Sequence, residues 1–170
     1  GADGADTLTG VEQFQFDTGG PQTNAMTYTW SVLPDGAAFY FNPALDFLYI
    51  DGGLSATDID FSPIEEGPNA GRGAQFTQWN EATGQPLKQI SLLFTPGDDP
   101  SNLFKLTSSH ITFANGSQLK LGDDLVTTAD DDSNATLAGS AGNDVLVTVG
   151  GSQTLDGLGG DAFLVTVTRK

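Results

Sequence analysis

The residues with the clearest chemical potential lie in glycine-rich corners that end in aspartate. In Gly139-Ser140-Ala141-Gly142-Asn143-Asp144-Val145-Leu146-Val147, glycines permit a tight turn at positive φ that aims carbonyl oxygens inward, and Asp144 adds a formal negative charge. A hard cation such as calcium takes about six to eight oxygen ligands of this kind. Leu146, pointing opposite to Val145 and Val147, can enter a narrow core. A second corner, Asp156-Gly157-Leu158-Gly159-Gly160-Asp161-Ala162-Phe163-Leu164, puts Gly159, Asp161 and Phe163 at matching places, with Asp156 where the first glycine stood. The plain alternative is that such residues make ordinary surface turns.

Both segments resemble the hemolysin-type calcium-binding nonapeptide of RTX exoproteins, G-G-x-G-x-D-x-(large apolar)-x, with Ser140 replacing the second glycine. The resemblance implies a parallel β-roll with ions between turns one coil apart, so one corner is half a site. It implies one ion between Gly142-Asn143-Asp144 and Gly159-Gly160-Asp161. Asp161 follows Asp144 by 17 residues. Two nonapeptides would give about 18, so a slightly irregular half-coil is expected over Thr148 to Gln153. The same signature opens the chain in Gly1-Ala2-Asp3-Gly4-Ala5-Asp6-Thr7-Leu8-Thr9, which makes Asp3, Gly4 and Asp6 further candidate ligands. Leu8-Thr9-Gly10-Val11-Glu12 is similar to the phrase that closes an RTX repeat block and leads into a strand. A chain that starts inside a repeat, without Met, is expected to be a piece of something longer, with that first site completed elsewhere.

The elements expected between these ends, from about Thr18 to Val126, are strands. Met26-Thr27-Tyr28-Thr29-Trp30-Ser31-Val32 alternates, predicting one buried face of Met26, Tyr28, Trp30 and Val32. Ala38 to Phe41 and Phe47 to Asp51 read as two strands around an Asn-Pro turn. Further strands are predicted at Ile59 to Phe61, Gly73 to Trp79, Pro86 to Thr95, Ile111 to Phe113 and Gln118 to Leu121. Asn115-Gly116 is a hairpin signal, with Phe113 and Leu119 as core partners. Single helical turns are expected at Leu54 to Asp58 and Ser101 to Leu106, capped by Ser55 and Ser101. Short strands at this spacing predict a compact sandwich or roll.

The middle segment also resembles, more loosely, modules interposed between RTX blocks of large bacterial calcium-binding exoproteins. The matching phrases are Phe41-Asn42-Pro43-Ala44-Leu45-Asp46-Phe47-Leu48, Ser55-Ala56-Thr57-Asp58, and Ile111-Thr112-Phe113-Ala114-Asn115-Gly116-Ser117-Gln118-Leu119-Lys120-Leu121-Gly122-Asp123. They imply context rather than an activity.

Charge narrows the partners. The 22 acidic residues against 6 basic give a net charge of −16, and all the acids but Glu12, Glu65, Glu66 and Glu81 are Asp. Such a surface repels nucleic acid and anionic membrane, and leaves self-repulsion for bound cations to relieve. No apolar run approaches the roughly 20 residues of a membrane span. With no cysteine, disulfides and thiolate metal sites are excluded. His110 is the only histidine, which leaves Ser-His catalysis little to work with. Asp58, Asp60, Glu65 and Glu66 keep carboxylate-based glycoside chemistry formally open, although Glu65-Glu66-Gly67-Pro68 reads better as a solvated loop. Among the aromatic residues, Tyr28 and Trp30 read as core, whereas Trp79, with Arg72, is the candidate ligand contact. The acidic stretch from Asp123 to Asp132 reads better as a solvated linker than as a further ligand source.

The sequence therefore predicts an all-β protein: a central β-sandwich or roll at 18–126, an RTX repeat end and capping strand at 1–17, and a linker with a short calcium-binding parallel β-roll at 127–170. The expected role is a calcium-binding, extracellular, structural or adhesive module of a secreted or cell-surface bacterial exoprotein, without catalysis. The expected partners are calcium and either surface glycans or identical neighbouring molecules. The alternative is a carbohydrate-binding module, or an accessory domain of a secreted polysaccharide-active enzyme.

Overall fold

The computed structural model describes residues 24–67, 69–70, 72–94, 103, 105–122, 124, 136–149 and 153–167. The candidate ligands Asp3, Gly4 and Asp6, the segment 1–17, Ser101 and the acidic stretch 125–132 lie outside the described residues. The protein is all-β, and among the described residues a 3-10 turn lies at Ala56–Asp58. Its strands are β1 (Thr27–Thr29), β2 (Ala37–Tyr40), β3 (Phe47–Ile50), β4 (Ile59–Pro63), β5 (Gly73–Asn80), β6 (Gln85–Leu93), β7 (Ile111–Phe113), β8 (Leu119–Leu121), β9 (Thr136–Ala138), β10 (Val145–Val149), β11 (Thr154–Asp156) and β12 (Phe163–Val167).

Most pairing is parallel. β1, β3 and β7 form one sheet, β2 pairs β6 in a second, and the chain alternates between them. An antiparallel hairpin of β4 and β5 extends the second sheet beyond β6. Further along, β8, β10 and β12 form a third sheet and β9 and β11 a fourth, again parallel and again visited alternately. The chain thus winds as a two-sheet coil, and the first strand of the third sheet comes from the 18–126 segment.

Where the first two sheets meet, Tyr28 stacks on Phe39 with ring centroids 4.1 Å apart. Leu48, Ile50, Phe76, Ile90 and Leu92 are each 0 % exposed around them. Each such side chain contributes about 1.5–3 kcal/mol of burial. Tyr28 and Trp30 are core as expected, but Met26 and Val32 are not: they are 36 % and 76 % exposed. The chain leaves the strand after Thr29, whose carbonyl accepts the amides of Val32 and Leu33, so the alternation stops pointing inward.

The Asn42–Asp46 turn lies between two strands as expected, and β2 and β3 belong to different sheets. One turn expectation is corrected. Asn115-Gly116 makes its turn, with Gly116 at φ 83°. Only one antiparallel bridge, Thr112 to Gln118, follows before β7 and β8 part into separate sheets.

Burial and the nearby Asp46 charge raise the Tyr28 hydroxyl to about 12. The folded chain therefore holds that proton more tightly than the unfolded chain. The associated stability is full below the ordinary tyrosine value of about 10 and is lost as pH rises through 12. The expected result is a tyrosinate absorbance step near pH 12 that Tyr28→Phe removes.

Candidate functional site

The two glycine-aspartate corners stack on each other. β9 and β11 register Thr136 on Thr154, and β10 and β12 register Val145 on Phe163. Between them the Gly159 amide donates to the Ser140 carbonyl (3.2 Å), and the Asp161 amide donates to Asn143 Oδ1 (3.0 Å) across 18 residues.

The paired strands keep an 18-residue register on both sides of the coil, and positions 150–152, in the half-coil expected to be irregular, lie outside the described residues. The offset falls on the aspartates: Asp161 lies over Asn143, and the neighbour of Asp144 is Ala162. Because side-chain direction has a period of two, this shift decides which face each residue joins. Leu146, 0 % exposed, pairs with Leu164, while Phe163 pairs with Val145 on the other face and is 60 % exposed.

Asp144 is 0 % exposed, and its carboxylate accepts from amides and a hydroxyl of the chain. Its Oδ1 accepts the Gln118 amide at 2.7 Å and the Ser140 hydroxyl at 2.8 Å. Its Oδ2 accepts the Ser140 amide and, at 3.1 Å, the same hydroxyl. Asp161 is exposed, so the two carboxylates differ in environment. Asn143, Gly142 and Gly159 are intermediate and Gly160 is exposed.

Sequence reasoning missed Gln118. It lies beside Asp144 in register, and its Oε1 is buried with no hydrogen-bond partner among the described residues. A buried acceptor left in this way costs about 1–3 kcal/mol unless something supplies positive charge or a proton. No local signal marks it, since the two residues are 26 apart in sequence.

Asp46 repeats the arrangement of Asp144 in the first sheet. Its Oδ2 accepts the Asn42 amide (2.7 Å), four residues back, and its Oδ1 accepts the Met26 amide (2.9 Å) of the neighbouring strand. Asp46 is 1 % exposed, and Leu48, two places on, is fully buried like Leu146. Other aspartates act similarly: Asp51 takes the amide and hydroxyl of Ser31, Asp58 those of Ser55, and Asp124 those of Ser108. The short aspartate side chain suits these roles, since it reaches nearby amides that glutamate overshoots. The Ser31 donors hold the Asp51 carboxyl below its ordinary value. The phrases around Ser55 and Asn115 also meet, since Ser117 Oγ takes the Ala56 amide at 2.8 Å and donates to Asn115 Oδ1.

The candidate ligand residues do not converge. Trp79 is 43 % exposed and donates Nε1 to Asp60 (3.1 Å), while Arg72 Nη2 donates to the Tyr40 hydroxyl (3.3 Å). Arg72 directly precedes β5 and Trp79 lies near its far end, so they are separated by roughly 20 Å. His110 bonds the Pro43 carbonyl through Nδ1 and packs edge-on against Phe47. Glu65 and Glu66 are exposed, and no group of three His, Cys, Asp or Glu side chains gathers among the described residues. A cleft of about 450 Å³ opens between β4 and the β8-β10-β12 sheet; among the described residues Thr57 and Asp60 are its polar lining, and Asp60 is already bonded to Trp79.

Comparison with models of known families, with curated proteins and with solved structures finds no match. The RTX resemblance rests on the residues quoted for it.

Proposed function

We propose that this chain is a calcium-ordered structural or adhesive module of a large RTX-type extracellular protein, its C-terminal part a short β-roll. The observation that carries the reading is the stacking of two glycine-aspartate corners in an 18-residue coil, with the unpartnered Gln118 Oε1 beside Asp144. Candidate ligand oxygens at the stacked corners are those of Asp144, Asn143 and Asp161, with Gln118 Oε1 beside Asp144. That set suits a hard divalent cation. Calcium would supply the positive charge that Gln118 Oε1 lacks, and would relieve repulsion in a chain of net charge −16.

Affinity is modest on this reading, because Asp144 must loosen amide and hydroxyl donors before it can ligate. Where calcium is scarce the terminal coil stays loose, which suits export of an unfolded chain. Outside the cell the ion orders it. No catalytic role is part of the proposal.

Melting with calcium and with chelator tests it. With a dissociation constant of about 1 mM, calcium at about 10 mM adds about 1.4 kcal/mol, or roughly 3–6 °C. Gln118→Leu removes the orphaned oxygen, so it is expected to leave the melt in chelator unchanged or higher while erasing most of the calcium shift. A wild-type transition indifferent to calcium rejects the reading.

A further inference from the structure

The β1-β3-β7 sheet buries one face in the core and leaves the other open. On that open face the register sets Thr27 beside Phe47, and Thr29 beside Tyr49, which has Thr112 on its other side. Phe47 and Tyr49 are 36 % and 40 % exposed. As alternate residues of one strand their rings stand about 7 Å apart, a span comparable to neighbouring sugar rings. His110, edge-on to Phe47 at 4.8 Å and tied to Pro43, fixes one side of that ring. Beyond Tyr49 the row ends in Ser31 and Asp51, joined by a 2.5 Å hydrogen bond.

Flat aromatic rings carry negative faces that attract the C–H bonds on one side of a pyranose. Threonine hydroxyls flanking them on neighbouring strands, about 4.8 Å away, can donate to and accept from equatorial hydroxyls. The nearby cation, Lys88, is turned to the Trp30 carbonyl and lies over the Trp30 ring, 5.2 Å from its centroid. With Asp51 as the row's charged group and −16 on the chain, an anionic polymer is repelled.

We propose that this face, centred on Phe47 and Tyr49, binds a neutral pyranose polysaccharide. The site is separate from the calcium corners and places adhesion on a rigid sheet.

Native gel electrophoresis through hydroxyethylcellulose or galactomannan, with alginate as the anionic counterpart, tests it in calcium and in chelator. The expected result is retardation by at least one neutral polymer, weakened about tenfold by Tyr49→Ala or Phe47→Ala, kept by Tyr49→Phe and unaltered by Trp79→Ala. Tyr49 is exposed, so Tyr49→Ala is expected to melt like the parent, which keeps the test independent of folding. Retardation in chelator as well as in calcium separates this site from the metal reading. Absence of retardation in both neutral gels, preference for alginate, or retardation that survives Tyr49→Ala overturns it.

Discussion

Asp144→Ala is expected to lower stability by about 3 kcal/mol, a fall of roughly 6–12 °C in melting temperature. The carboxylate is fully buried and takes the amides of Gln118 and Ser140 together with the Ser140 hydroxyl. Alanine strands those donors where water cannot fully replace the lost acceptor. Asn retains one acceptor oxygen but turns an NH₂ group toward an amide, so Asp144→Asn is expected to recover only part of the loss. Asp46→Ala removes the equivalent clamp from the first sheet. Its effect is expected to be smaller, because Met26, one of the two donors, is already partly in water. The two sites lie in separate sheets with no common donor, so the double variant is expected to show the sum. Thermal denaturation in chelator measures all of these without a contribution from metal. If Asp144→Ala melts within a degree or two of the parent, the carboxylate is not the clamp described here.

The other large effect is expected from Gly160→Ala. Gly160 holds φ at 70°, and a Cβ there would lie 2.3 Å from the Gly142 carbonyl oxygen and 2.6 Å from its carbon. Left-handed backbone costs a non-glycine residue about 1–2 kcal/mol before any clash, and here the obstacle is backbone, which cannot swing aside. The corner at 157–161 must then leave the corner at 139–144. Because the coil is stacked unit on unit, the damage is expected to stay local. Amides of β11 and β12 should lose protection from hydrogen exchange, while Leu48, Ile90 and Leu92 in the main core keep theirs. Uniform loss of protection would mean that the last coil and the core unfold as one unit.

Apolar, β-prone runs between turn signals showed most of the strands of the middle segment to a reader of the sequence. Ile111–Phe113 has the expected bounds, and the long β5 and β6 lie within a residue or two of expectation. Partnership was not legible. A run of alternating residues says which side faces the core but not which strand lies alongside, and a short turn serves a hairpin and a coil corner equally well. Asn115-Gly116 shows this, as it has hairpin chemistry yet hands the chain from one sheet to another.

The site was legible to the same degree. Glycine and aspartate spacing located both corners, and Leu146 enters the core as expected. The one-residue offset that puts Asp161 over Asn143 was hidden, because only pairing reveals it. Nor did charge alone show that Asp46, Asp51, Asp58 and Asp124 accept hydrogen bonds from the chain itself. Gln118 carried no warning at all, since its relation to Asp144 exists only once the coil has closed.

Backbone amide NMR during a calcium titration probes the proposed ion site most directly. Saturable shifts are expected at Gln118, Ser140 and Asp144 as the carboxylate exchanges amide donors for the ion, with smaller ones at Asn143 and Asp161 and none at Met26 or Asn42 around the Asp46 clamp. If the amides of Gln118 and Ser140 stay unmoved through tens of millimolar calcium, on the order of ten times the weakest affinity expected of such extracellular sites, no ion binds at the stacked corners.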